Sequence, residues 1–157
     1  MSDTNIETIA VLDFGSQYTQ LIARRIRELN IYSKIFKYNI SIDELLKHNI
    51  KAIILSGGPS SVYDINSPRL NLKILDLNLP ILGVCYGLQV LLNNTGGKIS
   101  KGNIGEYGNA LINHTGNNIL FNSIPKKINV WMSHTDKIEQ LSERIQLLLL
   151  IFVAGSD

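Results

Sequence analysis

Short apolar runs that alternate with helical segments are the feature that most restricts the fold of this chain. Buried strands are predicted at residues 8–14, 31–38, 51–56 and 80–84, and helices at residues 17–30, 41–49, 68–76 and 86–93. Parallel strands require crossover helices of this kind. The order β-α-β-α-β-α-β-α therefore predicts a three-layer α/β fold, with a mostly parallel sheet and helices on both faces.

The pattern changes after residue 97, where short strands joined by turns are predicted. These strands lie at residues 98–101, 106–112, 118–121 and 127–132 and indicate a short antiparallel β region. Residues 136–143 are predicted to form a helical turn, and residues 144–154, which are mostly apolar, a final strand. With 157 residues and no linker-like segment, we interpret residues 1–157 as a single domain.

Glycine-bearing loops follow three of the predicted parallel strands. They are Phe14-Gly15-Ser16, Gly57-Gly58-Pro59 and Gly83-Val84-Cys85-Tyr86-Gly87. The carboxyl ends of parallel strands lie at one edge of the sheet, and ligands bind there. The three loops are therefore predicted to converge on one site.

Cys85 is the only cysteine of the chain, and glycines stand two residues before and after it at a strand-to-helix corner. This is the thiol form of a nucleophile elbow, in which the tight turn requires glycine. The N-terminus of the following helix is predicted to favour the thiolate. The alternative is a buried cysteine that acts as a small hydrophobic residue, but the flanking glycines favour a nucleophile.

A thiolate that attacks a carbonyl carbon needs backbone donors for the oxyanion that forms. The amide of Tyr86 and the amides of Gly57 and Gly58 are predicted to provide them, although the glycine loop could also be a plain turn. Gln89 follows Cys85 by one helical turn. It either holds a polar substrate near the sulfur or is a solvated helix residue.

A nucleophilic cysteine usually works with a histidine base that a carboxylate orients. The chain offers His48, His114 and His134. His48 lies on an early helix and His114 in a polar turn, so His134, which ends a strand beside Ser133, is the best placed of the three. No His-x-Glu pair follows a strand, and no cysteine and histidine cluster has metal-ligand spacing.

Composition excludes several classes of partner. A net charge of +2 is too weak to indicate nucleic-acid binding. The longest apolar run, residues 147–153, falls far short of the roughly 20 residues that cross a bilayer. A single cysteine is typical of the reducing cytoplasm. We therefore expect a cytoplasmic protein without a nucleic-acid or membrane partner.

Five sequence motifs resemble those of a known family. They are VLDFGSQYTQLIARRIRE at residues 11–28, ILSGGPSSVY at 54–63, PILGVCYGLQ at 80–89, EYG at 106–108 and VWMSH at 130–134. Together they resemble the class I glutamine amidotransferases, most closely those of GMP synthase type. The resemblance implies a flavodoxin-like fold and hydrolysis of glutamine through a cysteine thioester. Ammonia would pass to an ATP-pyrophosphatase (synthetase) domain or subunit, which aminates XMP to GMP.

The resemblance also implies roles for individual residues. Cys85 matches the nucleophile, and Gly58, beside Gly57, and Tyr86 match the oxyanion-hole amides. The residues that match the binding positions for the α-amino and carboxylate groups of glutamine are Gln89, Ser133, His134 and Thr135. His134 is therefore implied to bind substrate rather than to act as the base. No cofactor is implied for this domain, since ATP and Mg²⁺ would belong to the synthetase domain.

The chain also departs from the family pattern. In the family, the histidine base and the carboxylate that orients it lie in a later Phe-His-Pro-Glu-like motif. These 157 residues do not contain that motif. Thr135 stands where glycine is usual, and Gly105 where arginine is usual. We therefore expect a truncated or frame-shifted domain with impaired turnover. One alternative is a separate-subunit amidotransferase. A second is a non-catalytic remnant or subunit that docks on a synthetase partner. A third is a cysteine hydrolase of the related flavodoxin-like superfamily, which would need a histidine from His114 or from another subunit.

Overall fold

A computed structural model describes residues 6–101, 106–113, 121–134 and 136–142. The strands are β1 (Thr8–Asp13), β2 (Ser33–Lys37), β3 (Ile50–Leu55), β4 (Ile81–Gly83), β5 (Lys98–Ser100), β6 (Glu106–Asn113), β7 (Lys127–His134) and β8 (Lys137–Gln140). The helices are α1 (Thr19–Glu28), α2 (Ile42–Leu45), a 3₁₀ helix (Leu72–Leu77) and α3 (Tyr86–Thr95). The chain divides into two compact units, residues 1–91 and 92–157. The single-domain interpretation stays a prediction.

The first unit contains a four-stranded sheet with the order β2-β1-β3-β4, and every pair in it is parallel. Its centre is dry: Val11 and Leu12 of β1 and Ile53 and Leu55 of β3 are 0% exposed. Burial on both faces explains why these strands are continuous apolar runs rather than alternating patterns. The predicted parallel sheet is confirmed.

Helix α1 packs with a different face from the one that its apolar residues indicate. The sequence predicts an apolar face made by Tyr18, Leu21, Ile22, Ile26 and Leu29. In the structure Thr19 and Ala23 are the buried residues, while Tyr18, Leu21 and Leu29 are exposed. The Thr19 hydroxyl donates to Asp13 Oδ1 (2.8 Å), and the Ala23 carbonyl accepts from the Ser33 hydroxyl (2.8 Å). These bonds to the ends of β1 and β2 set the face that turns inward.

The helix predicted at residues 68–76 is present in part, but its predicted start at Pro68 is wrong. Residues 68–71 have no regular structure, and a 3₁₀ helix begins only at Leu72, where the side chain of Asn71 accepts from the Lys73 amide (3.2 Å). The Pro68 carbonyl accepts a hydrogen bond from the Tyr86 hydroxyl (2.7 Å). This tertiary bond and the asparagine cap place the helix start four residues later than proline alone indicates.

The second unit contains two antiparallel strand pairs. Strands β6 and β7 pair over eight residues, from Glu106 opposite His134 to Asn113 opposite Lys127, and β5 pairs with β8. The antiparallel region is confirmed, but the helical turn predicted at residues 136–143 is wrong. Residues 137–140 form β8 because Ile138 pairs with the buried Ile99 of β5.

Two predicted strands fall largely or wholly outside the described residues. Of residues 118–121 only Phe121 is described, and it belongs to no strand, while residues 144–154 are not described. Among the helices that the structure does describe, none is long and apolar enough to cross a membrane.

Candidate active site

The three glycine-bearing loops of the first unit meet at the carboxyl ends of β1, β3 and β4. A Cβ atom added to Gly57 would lie 3.5 Å from the Cβ of Cys85 and 3.5 Å from the Oγ of Ser16. One added to Gly58 would lie 2.5 Å from the carbonyl oxygen of Phe14. The loops are therefore in contact around Cys85, as the order of strands and loops predicts.

Cys85 stands on a strained backbone between strand β4 and helix α3. Its φ of 48° lies in the left-handed region, which non-glycine residues rarely adopt. Gly83 and Gly87 make the corner possible, because an added Cβ would overlap the Leu88 backbone at the first and the Leu55 carbonyl at the second. The Val84 amide donates to the Leu55 carbonyl (2.9 Å) and ties the corner to β3. This is the geometry of a nucleophile elbow.

The electrostatic surroundings of the thiol differ from the prediction. Cys85 is half-buried, and burial raises the pKa of its thiol because desolvation disfavours the thiolate. No cationic side chain of the described residues contributes to that shift. The prediction that the N-terminus of α3 favours the thiolate is opposed by this burial.

The raised pKa leads to a testable pH dependence. The thiolate is the species that iodoacetamide alkylates, and Cys85 is the only thiol, so the alkylation rate reports one group. We expect the rate to rise with pH to a midpoint above the ordinary cysteine value of about 8.5. The urea-unfolded chain is the matched control and should give the ordinary value. A folded-state midpoint below that of the unfolded chain would contradict the assignment.

Two backbone amides of these loops are available as donors. In the described part of the chain, the N–H groups of Gly58 and Tyr86 donate to no acceptor. The ring of Tyr86 is held in place, since its hydroxyl donates to the Pro68 carbonyl (2.7 Å) and its centroid lies 5.7 Å from that of Phe14. The first turn of α3 thus presents a fixed amide at the sulfur.

Gln89 is buried rather than solvated. It is 7% exposed, and its backbone amide donates to the Cys85 carbonyl (3.1 Å). The interpretation as a solvated helix glutamine is therefore wrong. Its burial one turn from the sulfur agrees with the other interpretation, in which the side chain lies near the site.

The predicted residues of the second unit are only partly described. Ser133 and His134 are the last residues of β7, paired with Tyr107 and Glu106 of β6. Thr135 and His114 lie outside the described residues.

His48 lies far from the loops of the site along the strands. It precedes β3, at the edge of the sheet opposite the carboxyl ends, and its ring packs 5.1 Å from that of Phe36. Nε2 of His48 lies 3.4 Å from the ammonium of Lys34. His48 is therefore a packing residue and not the base of this site.

Sequence reasoning gave no role to Ser56, the residue between β3 and the Gly57-Gly58 loop. It is 0% exposed, and its hydroxyl accepts from the Phe14 amide (3.0 Å) and donates to the Gly57 carbonyl (3.0 Å). The one available signal was a serine directly after an apolar strand and before two glycines. Serine is also a frequent turn residue, so this signal did not single out Ser56.

Comparison with known proteins shows the class to which the chain belongs. The family model described as glutamine amidotransferase class-I matches residues 10–150. Because that match covers most of the chain, the chain belongs to the class I glutamine amidotransferases.

Among relatives, the chain is 48% identical over 144 residues to the glutamine-hydrolysing GMP synthase of Brachyspira hyodysenteriae, covering 92% of this chain and 28% of that protein. It is 52% identical over 140 residues to that of Chlorobium chlorochromatii, covering 88% and 27%. The chain thus spans less than a third of the length of these relatives.

Solved structures agree on the fold. A Thermoplasma acidophilum protein described as one of the subunits of GMP synthase superposes with a TM-score of 0.71 at 28% identity, covering 88% of this chain and 70% of that one. A glutamine amidotransferase from Thermotoga maritima superposes with a TM-score of 0.61 at 18% identity, covering 87% and 63%. At that identity the second likeness concerns the fold alone.

Proposed function

We propose that this chain carries the glutamine-hydrolysing site of a GMP synthase-type amidotransferase, with Cys85 as the nucleophile. The observation that carries the proposal is the elbow itself. The only thiol of the chain is held at a positive φ between two close-packed glycines. The glycine loop after β3 and the first turn of α3 also carry two amides, of Gly58 and Tyr86, without acceptors in the described chain. Strain of this kind is concentrated at functional sites.

The chemistry follows from these groups. The sulfur of Cys85 adds to the carboxamide carbon of glutamine, which forms a carbon–sulfur bond and moves the π electrons to the oxygen. The amides of Gly58 and Tyr86 stabilise that oxyanion. Collapse of the adduct breaks the carbon–nitrogen bond, and the nitrogen leaves as ammonia with the proton of the thiol. Water then hydrolyses the thioester to glutamate and restores the thiol.

Recognition of the amino acid is assigned to residues that match the family's binding positions. Gln89, buried one turn from Cys85, supports this assignment on the helix side. Ser133, His134 and Thr135 are proposed to hold the α-amino and carboxylate groups of glutamine. Gly57 lines the wall of the site against Cys85.

The ammonia is proposed to serve the amination of XMP to GMP on a synthetase domain or subunit. The names of the relatives, glutamine-hydrolysing GMP synthases, support this destination. The same relatives are more than three times as long as the matched segment, which supports a partner domain in the complete assembly. ATP and Mg²⁺ would act on that partner.

Turnover by this chain alone is proposed to be slow. The raised thiol pKa makes a proton acceptor necessary, and no Phe-His-Pro-Glu word is present in the 157 residues. Loss of one member of a catalytic triad lowers kcat by about 10⁴- to 10⁶-fold.

The experiment is glutamate release from glutamine by the purified chain. Glutamate is measured rather than ammonia, because glutamine also loses ammonia by spontaneous cyclisation. We expect slow release of glutamate that saturates with glutamine, and no aspartate from asparagine. Release at the same rate by the Cys85→Ala variant would contradict the proposal.

A further inference from the structure

We propose that Ser56 is a positioning residue of the thiol site, whose hydroxyl holds the Gly57–Gly58 peptide so that the Gly58 amide faces the oxyanion. The inference rests on the proposed function. It assigns the orientation of one oxyanion donor to a residue that does not itself touch the substrate.

Ser56 joins two of the three loops. Its backbone amide donates to the Leu12 carbonyl (3.0 Å), which continues the pairing of β3 with β1. Its hydroxyl accepts from the Phe14 amide (3.0 Å) and donates to the Gly57 carbonyl (3.0 Å). With the residue 0% exposed, water cannot replace either bond. The hydroxyl thus uses both its donor and its acceptor capacity in hydrogen bonds inside the protein.

The bond to the Gly57 carbonyl determines where the next amide points. The described chain has no cis peptide bond, and in a planar trans peptide the carbonyl and the N–H point in opposite directions. A hydroxyl that holds the carbonyl oxygen of Gly57 therefore turns the N–H of Gly58 away from Ser56. On the other side, Gly57 stands against Cys85, since an added Cβ would lie 3.5 Å from that of Cys85.

A fixed peptide is needed because two glycines in succession can rotate with little steric resistance. If the Gly57–Gly58 peptide rotated by half a turn, it would present a carbonyl oxygen to the developing negative charge in place of a donor. Packing resists this where Gly58 lies against the Phe14 carbonyl. Ser56 supplies further resistance.

The test compares Ser56→Ala with Ser56→Thr, which keeps the hydroxyl, in the full chain. The substrate is the γ-p-nitrophenyl ester of glutamate, whose leaving group departs without protonation, so a burst of nitrophenolate reports acylation of Cys85. We expect Ser56→Ala to lower the acylation rate constant by roughly 10- to 100-fold, less than the 10²- to 10³-fold that follows removal of an oxyanion donor. The half-saturating ester concentration should change less than the rate constant, and the threonine variant should restore most of the rate.

Iodoacetamide provides the control, because it alkylates a thiol by direct displacement and forms no oxyanion. Its rate with Ser56→Ala should equal that of the parent chain. Equal losses in both reactions, or parent-like acylation by Ser56→Ala, would overturn the inference. If Ser56→Ala does not fold, Ser56→Val is the second hydroxyl-free variant, since it matches the shape of Ser56→Thr, and it is judged by the same two rates against that variant. A parent chain without a Cys85-dependent burst would instead remove the proposed function, and the two failures are thus distinguishable.

Discussion

Replacing Cys85 by alanine is expected to abolish covalent labelling of the chain by a chloroketone analogue of glutamine. The substitution removes the only thiol, and the strained elbow presents that thiol at the junction of the three loops. Labelling is measured by intact-protein mass spectrometry and should reach one group per chain in the parent. This outcome does not depend on the base that turnover requires, because the reagent carries its own leaving group.

The matched control is Cys85→Ser, which nearly preserves the shape of the side chain but offers a much weaker nucleophile. Its labelling should also be lost, while glutamine should protect the parent chain and asparagine should not. A Cys85→Ala chain that still takes up one label would show that another residue reacts. Labelling that glutamine cannot prevent would favour the non-catalytic alternative.

Replacing Gly87 by alanine is expected to destabilise the fold, although alanine is the better helix former. In an open helical position the substitution would stabilise by up to about 1 kcal/mol. At Gly87, however, an added Cβ would overlap the Leu55 carbonyl and lie 2.6 Å from the Ser56 carbonyl. Overpacking of this kind costs about 1–3 kcal/mol or more, which lowers the Tm by about 2–4 °C for each kcal/mol.

Gly57→Ala is the matched control for this substitution. Its added Cβ would meet neighbours at 3.5 Å, an ordinary contact distance, and its φ is not positive. Thermal unfolding followed by far-ultraviolet circular dichroism should therefore show a much smaller shift for Gly57→Ala than for Gly87→Ala. A Gly87→Ala chain as stable as the parent would show that α3 can move away from β3.

The parallel half of the fold could be predicted from the sequence because its signals are local and strong. The runs around Val11 and Ile53 are apolar without interruption, and Gly83 and Gly87 frame the only cysteine. Ser41-Ile42-Asp43-Glu44 has the pattern of a helix capping box, and in the structure the Ser41 hydroxyl accepts from the Glu44 amide (3.2 Å). In each case the residue types themselves restrict the backbone.

The failures have a common physical cause, since each depends on a distant contact. The bond from Tyr86 to Pro68, 18 residues apart in sequence, holds Pro68 outside the 3₁₀ helix. Strand β8 forms because Ile138 meets Ile99, a pairing that no local pattern reveals. The raised pKa of Cys85 comes from burial by the neighbouring loops.

The residues of the candidate site also fall into two groups, those that the local sequence predicts and those that only the structure places. The nucleophile and the glycine loops could be predicted, because their spacing and order along the strands are visible in the sequence. The clamp made by Ser56 could not, because the partners of its hydroxyl, Phe14 and Gly57, belong to different loops. The position of Gln89 needed the structure to decide between a buried and a solvated side chain.

The most direct test of the central claim is acid-quenched mass spectrometry of the chain after prolonged incubation with glutamine, which allows for slow acylation. The account predicts an added γ-glutamyl group on the peptide that contains Cys85, released by hydroxylamine as a thioester should be. The adduct should not form with asparagine or with the Cys85→Ala variant. Glutamate release that proceeds without any adduct on Cys85, and equally well in the Cys85→Ala chain, would contradict it.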